Sequence, residues 1–113
     1  MRITFFILFL FSFFKDSIAQ QNGKSFDFEF EGYTLAGILN LPDNCKPKGL
    51  VMIVHGAGCP NSVATNLHGD VRQTLNEAGY ATYMYDKMGC GKSEGTFDYN
   101  QPVDNSADEV ITA

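Results

Sequence analysis

Residues 49–58 read GLVMIVHGAG, and the fold turns on how they are interpreted. Leu50 to Val54 carries no polar residue. That is the pattern of a strand covered on both faces, as in a parallel sheet flanked by helices, and it should lie near the centre of its sheet. The run then enters His55-Gly56-Ala57-Gly58, a turn of small residues. Backbone N–H groups in such a turn lack a ladder partner and can be aimed at an oxygen that becomes negative in a transition state. The Ala57 N–H is the first candidate for that role, with Gly58 permitting close approach.

Upstream, Phe26, Phe28 and Phe30 alternate with Asp27, Glu29 and Glu31, the period of a strand with one wet face. Gly32 turns the chain, and Tyr33 to Leu41 forms a second strand closed by Pro42-Asp43-Asn44, so the two predict an antiparallel hairpin. Downstream, Leu67, Val71 and Leu75 recur at helical spacing, and Gly79 stands where a left-handed C-terminal cap belongs. Ala81 to Tyr85 returns to strand, making a strand, helix and strand crossover. Asp86 ends that strand in front of a glycine-rich loop, Lys87 to Gly95. Its carboxylate is placed to accept hydrogen bonds from the loop's amides. Ser106 and Glu109 have the spacing of a capping box and predict the start of a final helix.

With 113 residues the chain accommodates one domain at most. Met1-Arg2, the apolar run Ile3 to Phe14 and the small residues Ser17-Ile18-Ala19 predict a signal peptide over residues 1–19, cleaved after Ala19. The rival reading is a membrane anchor, but twelve helical residues rise about 18 Å against roughly 30 Å of hydrocarbon, and Lys15-Asp16 interrupt at once. The expectation is therefore a secreted or periplasmic protein, residues 20–113, without a stable membrane anchor. Losing Arg2, Lys15 and Asp16 would leave six basic and twelve acidic side chains, a net charge of −6 against −5 for the whole chain. Without a basic cluster to displace phosphate counterions, nucleic acid is excluded as a partner. Cys45, Cys59 and Cys90 lack the spacing of a zinc or redox site, so no metal is expected. Cys59 and Cys90 each follow a strand end, which leaves two readings open: a bridge between them in an oxidising compartment, or two unpaired thiols in tight turns.

The order of hairpin, strand with HGAG, helix, strand with Asp, then GCGKSEG resembles the N-terminal part of an α/β hydrolase. It is close to the serine aminopeptidase-like (peptidase S33) and dienelactone-hydrolase-like branches, over roughly residues 26 to 113. Asp86 to Gly95, DKMGCGKSEG, stands where the family carries DxRGxGxSxG, with Met88 in place of the usual Arg. The resemblance implies an antiparallel hairpin leading into a parallel sheet with flanking helices, truncated before the strand of the nucleophile elbow. It implies hydrolysis of an ester, thioester, lactone or small peptide or amide by a Ser nucleophile, a His base and an acid, all beyond residue 113, with no cofactor. Ala57 and Gly58 are then backbone oxyanion-hole candidates, and His55, Gly56, Asp86, Gly89 and Gly91 support them structurally. Such a chain would be inactive alone, and Leu50 to Val54, deprived of the strand it normally pairs with, would be an apolar open edge.

Gly91-Lys92-Ser93-Glu94-Gly95 matches the elbow pattern GxSxG by letter only. No strand runs straight into Ser93, and neither His55 nor His68 follows it as the chain order of the triad requires. A Walker loop fails because its first glycine position is Asp86, and a dinucleotide fingerprint fails at Asn61 and Pro60. His68 is expected as a solvated loop or helix residue. The alternative from another functional class is a non-catalytic exported binding module that recruits a partner strand to the open edge.

Overall fold

A computed structural model describes residues 23–100 and 102–113; the expected signal peptide, residues 1–19, lies outside the described residues. The hairpin is present, but each of its arms is interrupted once. β1 (Lys24–Ser25) pairs with β4 (Gly37–Asn40), and β2 (Phe28–Phe30) pairs with β3 (Tyr33–Leu35), all antiparallel in one continuous register. Between them the Gly37 N–H donates to the Asp27 carboxylate at 3.1 Å, and the Tyr83 hydroxyl donates to the Phe26 carbonyl at 2.7 Å. Side chains thus satisfy groups the ladder would otherwise hold, so two arms become four short strands. The turn has Glu31 at φ 51° and Gly32 at φ 80°. Positive φ at both central residues is the two-residue hairpin geometry that matches strand twist.

β5 (Leu50–Ile53) and β6 (Ala81–Tyr85) are parallel, and the four-stranded sheet runs β1-β4-β6-β5. This corrects the expected place of β5. It lies at the edge, with Leu50 59% exposed, because among the described residues only β6 flanks it. The open edge expected of this chain is what the strand presents. β6 takes the interior position, with every residue buried, and its Tyr85 joins Phe30, Leu35 and Tyr83 in the core. The Phe28 ring meets Tyr85 edge-on at 5.4 Å. Each such side chain contributes about 1.5–3 kcal/mol of burial free energy. Burial also pushes the Tyr83 hydroxyl up to about 12.

α1 (Gly69–Glu77) closes the crossover between β5 and β6 and ends as predicted. Gly79, at φ 92°, donates to the Asn76 carbonyl, and the Tyr80 N–H reaches back to Leu75. These are the paired bonds of a Schellman cap. Its inward face differs from the sequence reading: Val71 is 52% exposed, whereas Arg72 is fully buried. Apolar spacing misled here because the groups waiting beneath the helix are amides. The Arg72 guanidinium donates to Asn40 Oδ1 at 3.0 Å and to Asn66 Oδ1. α2 (Pro102–Thr112) starts earlier than the Ser106 capping box implied, so Ser106 lies inside the helix. Proline's fixed φ and missing N–H suit the first turn, and Pro102 competes successfully as the start. α2 packs on β2, with Val110 against the core.

Candidate functional site

The turn after β5 is built around a buried imidazole. His55 Nδ1 lies 3.1 Å from the Gly56 carbonyl oxygen, and the Lys87 N–H donates to Nε2 at 3.4 Å. The second bond requires a bare Nε2, so the proton sits on Nδ1 and is donated to Gly56. Burial holds the His55 pKa below 6.5, reinforced by the Lys87 charge and partly offset by the Gly56 carbonyl and Asp86. The ring is therefore neutral at pH 7 and braces the turn. Its two nitrogens are both engaged, which leaves none for a nucleophile.

The Gly56 carbonyl receives a second donor, Lys87 Nζ, at 3.3 Å. In a trans peptide the C=O and the following N–H point in opposite directions. Two donors holding the Gly56 oxygen inward therefore turn the Ala57 N–H outward, at an exposed residue. Among the described residues neither the Ala57 nor the Gly58 N–H has a hydrogen-bond acceptor. Gly58 adopts φ 93°, a conformation that favours glycine.

Opposite stands the loop after β6. Asp86 is fully buried; Oδ1 accepts the Val63 N–H at 3.0 Å and Oδ2 the Lys92 N–H at 3.1 Å. The expected bond to the glycine-rich loop is present, and the second one ties down the loop leading to α1. Gly91, at φ 52°, has no room for a side chain, since a Cβ would lie 2.2 Å from Asp86 Oδ2. At Gly89, φ 72°, a Cβ would lie 2.2 Å from the Phe97 nitrogen. Ser93 Oγ accepts the Ala36 N–H at 2.9 Å and donates to the Asp86 carbonyl, with no imidazole in reach. Its role is to staple the loop to the hairpin. His68 is an exposed residue at the N-cap of α1.

Of the two readings for the cysteines, the structure shows the bridge: Cys59 and Cys90 are disulfide-bonded, with Cα atoms 5.0 Å apart. The bond joins the small-residue turn to the glycine-rich loop. Cys45 is free and exposed. Two residues of this region were missed in the sequence. Lys87, counted among scattered loop lysines, is only 5% exposed, and its place directly after a buried strand and Asp86 was the available signal. Glu109 Oε1 accepts the Met88 N–H at 3.1 Å, and burial raises the Glu109 pKa. Its Oε2 and the Tyr85 hydroxyl have no partner at ordinary hydrogen-bond geometry among the described residues, but they lie close enough that burial and the Glu109 carboxylate push the Tyr85 hydroxyl up. Met88 Cγ and Sδ pack beside Gly95, and the side chain lies against the core. Among the described residues no cluster of three metal-ligating side chains occurs.

A hairpin feeding a crossover whose two strand ends carry a braced small-residue turn and an Asp-anchored glycine loop is the N-terminal portion of an α/β hydrolase. The chain belongs to the serine aminopeptidase, S33 family, whose model matches residues 45–113. Solved structures agree on the fold. A serine hydrolase homologue from Coxiella burnetii superposes with a TM-score of 0.61 at 17% identity, covering 78% of this chain and 41% of its own. A lidless serine hydrolase from Xanthomonas campestris gives 0.59 at 18%, covering 80% and 41%. Est1E from Butyrivibrio proteoclasticus, solved with ferulic acid bound, gives 0.60 at 27%, covering 77% and 34%. The chain thus spans well under half the length of these structures. No curated protein matches it.

Proposed function

We propose that residues 20–113 form the oxyanion side of an exported serine hydrolase that transfers acyl groups of small esters, thioesters, lactones or amides to water. The carrying observation is the outward Ala57 N–H, without an acceptor among the described residues and fixed by a carbonyl held from behind. Ala57 and Gly58 would receive the developing alkoxide, with His55, Gly56, Asp86, Gly89 and Gly91 holding their loops in place. Nucleophile, acid and base would come from hydrolase chain outside residues 1–113, so this chain alone would not turn over substrate. The carboxylate bound in Est1E is the kind of product such a site releases. Export is part of the proposal, and the Cys59–Cys90 bridge suits an oxidising compartment.

The test compares p-nitrophenyl ester hydrolysis by this chain with that by a chain extended through a complete hydrolase domain. The first should stay at background and the second should turn over. In the extended chain Ala57→Pro, which deletes the N–H, should lower kcat by about 10²–10³. An unchanged kcat would remove Ala57 from the mechanism. One observation favours a second reading, a binding module. β5 presents an exposed apolar edge, and a stable, soluble dimer of this chain would support it.

A further inference from the structure

Lys87 is buried, yet among the described residues its ammonium makes no direct ion pair; Glu109 feels its charge, and the one acceptor it reaches is the Gly56 carbonyl. Its own N–H meanwhile fixes the ring of His55, whose Nδ1 bonds the same carbonyl. One residue therefore acts on the Gly56–Ala57 peptide by two routes, directly through Nζ and indirectly through the imidazole. Burying a cation costs free energy unless it is compensated; here the Gly56 carbonyl is the one hydrogen-bond acceptor, and the Glu109 carboxyl, itself held toward its neutral form by burial, contributes only from beyond ion-pair distance. Such a charge is better satisfied when an anion arrives on the far side of the peptide it holds, because the polarised peptide then lies between opposite charges.

We propose that Lys87 is the positioning residue of the oxyanion turn: its ammonium sets the orientation of the Gly56–Ala57 peptide and so gives the Ala57 N–H its affinity for a carboxylate or alkoxide oxygen. This rests on the oxyanion reading above. The side chain touches neither substrate nor nucleophile and acts through the peptide. The substitution Lys87→Met keeps the aliphatic length and removes both charge and donor. Because it also removes a desolvated cation, it should fold, as far-UV circular dichroism and retention of the Cys59–Cys90 bond will check.

The experiment titrates the ¹⁵N-labelled chain with sodium acetate at pH 7.5 and constant ionic strength, following amide shifts. In the parent chain the Ala57 and Gly58 amides should move and saturate. In Lys87→Met the affinity read at Ala57 should fall about tenfold, and Lys87→Arg should restore part of it. Lys92→Met is the control, since it removes the same charge from the same loop but leaves the backbone bond to Asp86 in place; it should leave acetate binding unchanged. Ala57 shifts that saturate identically in parent and Lys87→Met would overturn the role of Lys87 while leaving the oxyanion reading intact. No response in the parent chain would overturn the oxyanion reading, and this inference with it. Equal losses in Lys87→Met and Lys92→Met would reduce the effect to net charge and also overturn the assignment.

Discussion

Reducing the Cys59–Cys90 bridge should cost most of what holds the two strand-end loops together. The cysteines are separated by 31 positions. Closing a loop of that length removes about 12 cal/mol/K from the unfolded chain, or about 3.7 kcal/mol at 25 °C, in the chain-entropy account. That is a large share of the stability of any small domain. The assay is urea unfolding with and without a dithiol reductant, in a Cys45→Ser background so that the exposed free thiol cannot exchange. With a slope of about 1–2 kcal/mol/M the midpoint should fall by roughly 2 M or more, or the reduced chain should be unfolded already. Hydrogen exchange localises the effect: amides of Gly56 to Cys59 and of Gly89 to Gly91 should lose protection before those of β4 and β6. A midpoint change worth less than about 1 kcal/mol, with exchange unaltered in both loops, would refute the reasoning.

Ser93→Ala should cost about 1–3 kcal/mol in a thermal melt, because the Ala36 N–H loses its acceptor, and a fluorophosphonate probe should label neither form; labelling of Ser93 would contradict its structural role. Gly89→Ala should be the more damaging of the loop glycine substitutions, since its Cβ would meet backbone, and a cooperative melt like the parent's would count against the packing described. His55 is held neutral, so the unfolded chain binds more protons; the stability this contributes is present above pH 6.5 and lost as pH falls through the lower native pKa. In a series of melts from pH 7.5 downward, His55→Asn should flatten that acid loss. Glu109 has the opposite sign: with its native pKa raised above 4.5, its contribution is present below that pH and lost as pH rises. Glu109→Gln keeps an acceptor for Met88, and it should therefore stabilise at pH 7 more than at pH 4. Leu50→Lys should reduce concentration-dependent association through the β5 edge, measured by light scattering; no change would show that the edge is not the sticking surface.

The elements whose cause is local were legible in the sequence. The hairpin follows from alternation, Gly32 and Gly79 from the backbone each turn requires, and the crossover from two apolar runs around a helical repeat. Properties set by distant partners were not legible. β5 reads as a doubly covered strand, but the sequence of a strand does not say which neighbours are present, and among the described residues only β6 is. Val71 faces out and Arg72 in because Asn40, 32 positions away, waits with its amide oxygen, joined by Asn66 from the loop just before the helix. At the site, the turn and Asp86 could be named from type and spacing, whereas Lys87 looked like any loop lysine until its ammonium was seen at Gly56. The helix start at Pro102 was hidden by a second, equally valid start signal at Ser106.

Asp86 acts as a spacer of fixed length, with one oxygen serving the loop before α1 and the other serving the loop after β6. An isosteric amide offers a single acceptor, so Asn in its place could satisfy one loop only while presenting hydrogen to hydrogen at the other. A longer acid would force the gap wider by one methylene. The spacing of these two loops is thus metered by one short carboxylate, and no other side chain of the twenty has both the reach and the symmetry to take over that measurement.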